Sequence, residues 1–347
     1  MTSGLRLPAE WEKHQATLLS FPFEGADWPG KYAAIKWAFI EIIRKVAEYE
    51  PVMLLVKSEK QQHAIDQMLE RAHADKSVIS YIIQPTNRSW MRDSGPIIVK
   101  NKDGERLALK FRFNGWAKYP NHRLDTMVPE AIARSLNIPL QRIVHKGKPV
   151  VLEGGAIDSN GEGVLVTTEE CLLDKNIQVR NPGFSKSDYE SIFQENFGIT
   201  QTIWLRDGIA GDDTHGHVDD ICRFVNNDTV VVCTEPDKSD PNYKKLDLNL
   251  SILNNTILNK GRKLSVMKIP MPSPIHFEDL RLPASYVNFL ITNGCVLVPT
   301  FNDLNDYVAI GAIREAFPDK EVLGIHAVDL IWGLGTLHCL SREIPLA

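Results

Sequence analysis

Ala16-Thr17-Leu18-Leu19-Ser20-Phe21 and Val52-Met53-Leu54-Leu55-Val56 are two short apolar runs of strand length, and the chain between them changes period. From Lys31 to Tyr49 the apolar residues Ile35, Ala38, Phe39, Ile42, Ile43 and Val46 recur at helical spacing. The alternation continues, with a helix from Glu59 to His73 and a strand from Val78 to Ile83. Further strands are expected at 97–100, 107–113, 163–167, 201–205, 221–226, 229–233, 288–292, 295–299 and 321–325, and helices at 127–136, 186–196, 241–258 and 306–317. Such alternation is the mark of an α/β fold rather than of segregated α+β. Strand–strand–helix–strand units recur without a residue-level repeat. No Pro/Gly/Ser-rich linker divides the chain, and a single domain over 1–347 is expected. Gly154 to Gly163 and Glu235 to Asn242 read as surface loops.

Composition narrows the functions. The 347 residues are 43% hydrophobic and 24% charged, as in soluble globular proteins. A formal net charge of -5 without a Lys/Arg-rich block argues against nucleic-acid binding and suits a small cation. Met1-Thr2-Ser3-Gly4-Leu5-Arg6 lacks the apolar core of a signal peptide, and no apolar run reaches the roughly 20 residues that span a bilayer. The five cysteines are odd in number and lack Cys-x-x-Cys spacing, so a reducing cytoplasm is expected. Neither Gly-x-Gly-x-x-Gly nor Gly-x-x-x-x-Gly-Lys-Ser/Thr occurs, and no nucleotide cofactor is indicated.

Four clusters could carry chemistry. Gly211-Asp212-Asp213-Thr214-His215-Gly216-His217-Val218-Asp219-Asp220 packs two imidazoles and four carboxylates ahead of the strand Ile221 to Val225. If His217 to Asp219 is already extended, both side chains share one face, an acid–base arrangement. The rival reading is a metal held by His215, His217 and Asp219, although zinc needs further ligands that no other pair supplies at ligand spacing. Trp90-Met91-Arg92-Asp93-Ser94-Gly95-Pro96 reads as a binding loop or as a turn with an Arg–Asp surface pair. Leu152-Glu153-Gly154-Gly155 sets a carboxylate where a strand breaks into glycines, or is a hairpin turn with a solvated Glu. Gly333-Leu334-Gly335-Thr336-Leu337-His338-Cys339 holds a thiol in a glycine-containing loop, or one more small buried residue.

One chemistry uses all four. A guanidinium carbon is a poor electrophile, but two carboxylates can grip its N–H fork and present the carbon to a thiolate. Attack gives a thiouronium-type adduct, a nearby imidazole protonates departing ammonia, and the same imidazole activates water to release a urea. A thiol with an ordinary pKa of about 8.5 needs a cationic neighbour, which His217 or the substrate could supply. No metal or cofactor is required.

With these four clusters, Arg6-Leu7-Pro8-Ala9-Glu10-Trp11, Phe113-Asn114-Gly115-Trp116, Gly161-Glu162-Gly163, Thr167-Thr168-Glu169-Glu170-Cys171-Leu172-Leu173, Tyr286-Val287-Asn288-Phe289 and Pro299-Thr300-Phe301-Asn302-Asp303 follow in order. Together they resemble the agmatine deiminase family of the guanidine-modifying (pentein) superfamily, related to bacterial peptidylarginine deiminases. The resemblance implies a pentein five-bladed α/β propeller of ββαβ-like units with a central site. It also implies conversion of agmatine and water to N-carbamoylputrescine and ammonia, with free arginine or peptidyl-arginine as alternative guanidines. By position, Cys339 is the implied nucleophile and His217 the acid–base. Asp93 and Asp219 grip the guanidinium, and Glu153 orients His217 or contacts the substrate. Trp90, Arg92, Asp213 and Trp116 are the implied substrate-binding residues. A homodimer is left open. Leu334 and Thr336 depart from a frequent Gly and Asn, and Ala156-Ile157-Asp158 from a frequent Ser-Ile-His.

Overall fold

The computed structural model describes residues 4–23 and 27–347; part of the N-terminal leader reading therefore falls on residues outside it. The strand His14–Ser20 pairs in parallel with Val52–Val56, and that strand with Ile79–Ile83. Helices Tyr32–Ala47 and Glu59–Arg71 make the crossovers that parallel pairing demands. The first buries Ile35, Phe39, Ile42, Ile43 and Val46, the stripe its period prescribes. The second begins at Ser58, whose hydroxyl accepts the Gln61 N–H at 3.3 Å. On the opposite edge of His14–Ser20 lies the C-terminal strand Ser341–Pro345, antiparallel.

Four further sheets repeat one pattern: a leading strand, an antiparallel central strand, and a third strand parallel to the centre. They run Ile97–Lys100, Arg106–Lys110, Leu140–Arg142; then Asp158–Ser159, Val164–Thr168, Gln201–Leu205; then Cys222–Asn226, Thr229–Thr234, Ser265–Pro270; then Leu290–Ile291, Cys295–Thr300, Glu321–His326. Helices Val128–Ser135, Lys186–Phe197, Asn242–Asn254 and Asp306–Ala316 lie between centre and third strand. Helix Lys186–Phe197 shows why its ends fall where they do. Ser185 and Asp188 form a capping box, and Gly198 closes it at φ 70, where a Cβ would sit 2.3 Å from the Leu5 carbonyl oxygen.

The mixed α/β fold is the expected one, and most elements lie within a few residues of their expected bounds. Leu140–Arg142 and Ser265–Pro270 escape the sequence pattern because these third strands are largely exposed and lack an apolar run. The expected surface loop at 154–163 is a correction: residues 154–160 are buried. Its polar groups are met inside, with Asp158 on the Arg223 guanidinium at 2.7 Å and Asn160 Oδ1 accepting the Val164 N–H at 3.0 Å. Among the described residues no helix is long and apolar enough to cross a membrane.

A positional rule ties this fold to the four clusters. Asp93 stands just ahead of Ile97–Lys100, Glu153 ahead of Asp158–Ser159, His217 and Asp219 ahead of Cys222–Asn226, and Cys339 ahead of Ser341–Pro345. Asn288 holds the same place before Leu290–Ile291. Each unit thus offers its side chain from the turn that enters the leading strand.

Ile344, on the strand that joins the chain ends, is fully buried. Ile344→Ala should cost about 2–5 kcal/mol of unfolding free energy, seen as a lower urea midpoint. An unchanged midpoint would show that this edge does not hold the ends together.

Candidate active site

Cys339 sits in a single helical turn, Leu337–Leu340, and lines a cavity of about 300 Å³ with Trp90, Asp93, Trp116 and Asp213. The expected glycine loop ends just before it. Leu334 takes a left-handed conformation (φ 71), and a Cβ at Gly335 would meet the Trp90 ring at 2.9 Å and Cys339 Sγ at 3.2 Å. Only glycine lets the chain pass so close to the thiol. Asn288 holds the turn: its Nδ2 donates to Cys339 Sγ at 3.0 Å and to Asp220 Oδ1 at 2.9 Å, and its Oδ1 accepts from Thr336 Oγ1 at 2.8 Å and His338 N at 3.1 Å. Burial, with Asp219, Asp220 and Asp93 nearby, pushes the Cys339 thiol well above its ordinary pKa, so in the free protein the proton stays on sulfur. Its Sγ lies 3.7 Å from Asp219 Oδ2.

His217 does not reach Asp219 along an extended strand. It precedes a short helical turn, Val218–Asp220, and that turn folds the two side chains together at 3.9 Å between Nδ1 and Oδ1. Asp93 Oδ1 is also 3.9 Å from Nδ1, and Glu153 Oε2 is 4.0 Å from Nε2. Neither ring nitrogen has a hydrogen-bond partner among the described residues, which is rare for buried polar atoms. Burial alone would lower its pKa, but the Asp93 and Asp219 carboxylates outweigh that and hold the imidazolium well above the ordinary range. A Cβ on Gly155 would lie 2.5 Å from His217 Nδ1.

The carboxylates are fixed by dedicated donors. Asp93 accepts Trp116 Nε1–H at 2.9 Å and Gly155 N–H at 3.0 Å. Glu153 accepts Arg180 Nε at 3.1 Å, both side chains being fully buried. Burial raises Asp93, with His217 opposing it, whereas Asp219 is lowered because His338 and His217 overcome its burial.

The expected residues thus converge, except Arg92. Arg92 was expected to bind substrate, but its side chain is buried behind the site, on Glu10 at 2.8 Å and Glu343 at 2.7 Å. Successive residues of the helical turn Met91–Ser94 point in different directions, so Asp93 faces the cavity and Arg92 does not. His215 bonds Asp174 at 2.9 Å and lies 3.7 Å from Glu170, apart from His217's partners. Among the described residues, the side chains close enough to share an ion are Glu153, Cys171 and His217, and Asp219, Asp220 and Cys339; neither group includes His215. The metal reading built on both imidazoles therefore loses its geometry. Sequence reasoning assigned no role to Asn288, Arg180, His338 or Glu10. Asn288 and Glu10 stood in quoted motifs, and His338 beside the thiol, but only contact across the chain shows their use.

The model of the Porphyromonas-type peptidyl-arginine deiminase family matches residues 6–345. The chain belongs to that family. The agmatine deiminase of Ectopseudomonas mendocina (strain ymp) is 32% identical over 366 residues, covering 99% of this chain and 96% of that protein. A Cys-to-Ser variant of C. jejuni agmatine deiminase with substrate bound superposes with a TM-score of 0.88 at 29% identity, over 98% of this chain and 96% of that one. The agmatine deiminase of Enterococcus faecalis gives a TM-score of 0.89 at 28% identity, over 99% of this chain and 96% of that one. Departures noted in the sequence have partners of their own within this family fold. Thr336 bonds Asn288, Asp158 bonds Arg223, and Leu334 forms part of the cavity wall.

The raised thiol has a measurable consequence. Below its pKa the thiolate fraction climbs about tenfold per pH unit, so alkylation of Cys339 by iodoacetamide, followed by peptide mass, should be slow near neutrality and rise steadily from about pH 7 to about pH 9. A plateau already reached at neutral pH would mean that a stable thiolate is present.

Proposed function

We propose that this protein is an agmatine deiminase, hydrolysing agmatine to N-carbamoylputrescine and ammonia through a covalent adduct on Cys339. The observation that carries the reading is a buried thiol on a cavity wall with Asp93, Asp219 and His217 around it. Two carboxylates on one side match the N–H fork of a guanidinium by charge-assisted hydrogen bonds. A bound cation would also offset the negative charges that keep the proton on sulfur, so the substrate itself would promote the thiolate.

In the mechanism we infer, the thiol proton leaves to solvent as the guanidinium binds, Cys339 Sγ forms a bond to the guanidinium carbon and the electron pair of a C=N bond moves to nitrogen. The tetrahedral carbon then expels ammonia, the departing nitrogen taking its proton from His217. Neutral His217 next removes a proton from water, whose oxygen attacks the thiouronium carbon. The C–S bond breaks, returning the pair to sulfur, and the remaining hydroxyl proton passes to the thiolate, leaving the urea and the thiol. Glu153, held by Arg180, orients His217. Asp219 and Asp93 hold the carbon in line throughout.

Agmatine is favoured over peptidyl-arginine by the mouth of the cavity. Asp213 lines the cavity and gives an acidic partner for a terminal ammonium, Asp27 being already paired with Arg88, and about 300 Å³ suits a small ligand. Asp213 is oriented by the Tyr119 hydroxyl at 2.7 Å and by Lys118. Trp90 and Trp116 would flank the alkyl chain. We further read the repeated sheets as the blades of a five-bladed pentein propeller, one catalytic domain over 1–347, because each unit delivers its side chain from the same position. Five free thiols suit a reducing cytoplasm, where we place the reaction.

Incubation with agmatine should release ammonia equally with and without a chelator, and folded Cys339→Ser should release none. Ammonia that disappears with the chelator, or a folded Cys339→Ser that turns over normally, would overturn the reading. Free arginine and an arginine peptide, assayed in parallel, test the choice of guanidine.

Loss of the acid should stall the adduct rather than prevent it. His217→Ala is expected to fall by about 10²–10⁴-fold in rate and to show a mass increase on the intact protein in the presence of agmatine. A folded His217→Ala slower by less than a few-fold would remove His217 from proton transfer.

A further inference from the structure

His338 is buried, adjacent to Cys339, and placed between two carboxylates. Its Nδ1 is 2.6 Å from Asp219 Oδ2, and its Nε2 is 2.9 Å and 3.1 Å from the oxygens of Glu10. Both ring nitrogens face carboxylates at hydrogen-bond distance, so the ring is held from both ends. Asp219 Oδ1 makes no hydrogen bond among the described residues and lies on the His217 side, 3.9 Å from Nδ1.

We propose that Glu10 and His338 are positioning residues for the guanidinium clamp, Glu10 holding the His338 ring and His338 pinning one oxygen of Asp219 while the other stays available to a cation. The proposal rests on the deiminase reading and extends it to two residues that do not touch the substrate. Glu10 is suited to the outer place. Its carboxylate also accepts from Arg92 at 2.8 Å and from Arg223 at 2.6 Å, and its carbonyl oxygen is 2.7 Å from His14 Nε2. Burial alone would raise its pKa, but Arg223, Arg92 and His338 hold it well below the usual carboxylate range. Each side chain bound to Glu10 belongs to a segment that carries a site residue: Arg92 beside Asp93, His338 beside Cys339, and Arg223 in the strand entered from Asp219. The motif Pro8-Ala9-Glu10-Trp11 thereby acquires a use beyond closing the N-terminus onto the fold.

Two amide variants separate positioning from packing. The Asn side chain places its N–H₂ near the Nδ1 position and can still donate to Asp219. Gln places it near Nε2 and can reach Glu10 but not Asp219. Gln is the closer match to imidazole in size. Positioning therefore ranks His338→Asn above His338→Gln, and packing ranks them the other way.

The readout is the alkylation rate of Cys339 by chloroacetamidine, a cation of guanidinium shape, divided by its rate with neutral iodoacetamide, together with KM and kcat for agmatine. Sulfur displaces chloride from the reagent, so the ratio reports the clamp without requiring turnover. His338→Gln should lower this ratio by about tenfold or more, the loss of a charge-assisted hydrogen bond, and should raise KM. His338→Asn should stay within about threefold of the unaltered protein, since its donor to Asp219 is kept. Equal ratios in the two variants, or a higher ratio in His338→Gln, overturn the proposal. Should His338→Gln not fold, Glu10→Gln carries the test: a several-fold lower ratio supports the relay, and an unchanged one overturns it. Failure of the unaltered protein to deiminate any guanidine would overturn the deiminase reading instead, and the alkylation ratio would still decide the relay.

Discussion

Asp93, Glu153, Asp219 and Asp220 are gathered, out of water, around His217 and Cys339. Like charges so close cannot stand in a low-dielectric interior without fixed counter-charges, since each buried ion costs several kcal/mol before compensation. The compensation is built one partner at a time. Arg180 lies on Glu153, His338 on Asp219, and Trp116 with a backbone N–H on Asp93. Asp220 is met by Asn288, and burial with Asp219 and Asp212 nearby pushes its pKa well above the ordinary range. Behind them Arg92, Arg223 and Glu10 form a second layer of charge that the solvent hardly touches.

That electrostatic constraint explains why the loops around the site are not loose. Gly154 and Gly155 pass Arg92 and His217 at distances that leave no room for a Cβ, and Gly335 does the same beside the Trp90 ring. A chain squeezed against charged groups must satisfy its own backbone as well. The 154–160 segment accordingly runs buried, with Asp158 and Asn160 turned inward. The fold supports this by repetition, because five sheets each present the turn before the leading strand, and the strand Ser341–Pro345 brings Cys339 back to the sheet with which the chain begins.

The charges also prepare the site for a cation. A thiol raised by burial and by the surrounding carboxylates is a weak nucleophile until positive charge arrives. On this reading reactivity and selectivity share one cause, since the ligand that relieves the carboxylates is the ligand that frees the sulfur. An imidazole held cationic by the same carboxylates then has a proton ready for the leaving group.

The sequence by itself determined the α/β alternation, because strand and helix periods are local properties of apolar spacing, and its four short motifs, with the family resemblance they carry, pointed to Cys339, His217, Asp219, Asp93 and Glu153. It could not distinguish side chains that leave one turn in different directions, which is why Arg92 and Asp93 looked alike and His215 competed with His217. Nor could it show that 154–160 is buried, since glycines and polar residues read as a loop wherever they lie. Tertiary structure alone decided the compensation: Glu10, Arg180, Asn288 and His338 are joined to their partners across 328, 27, 51 and 119 positions of sequence respectively. The need to neutralise a buried charge is set by the environment that the whole fold creates, and no local window of sequence contains it.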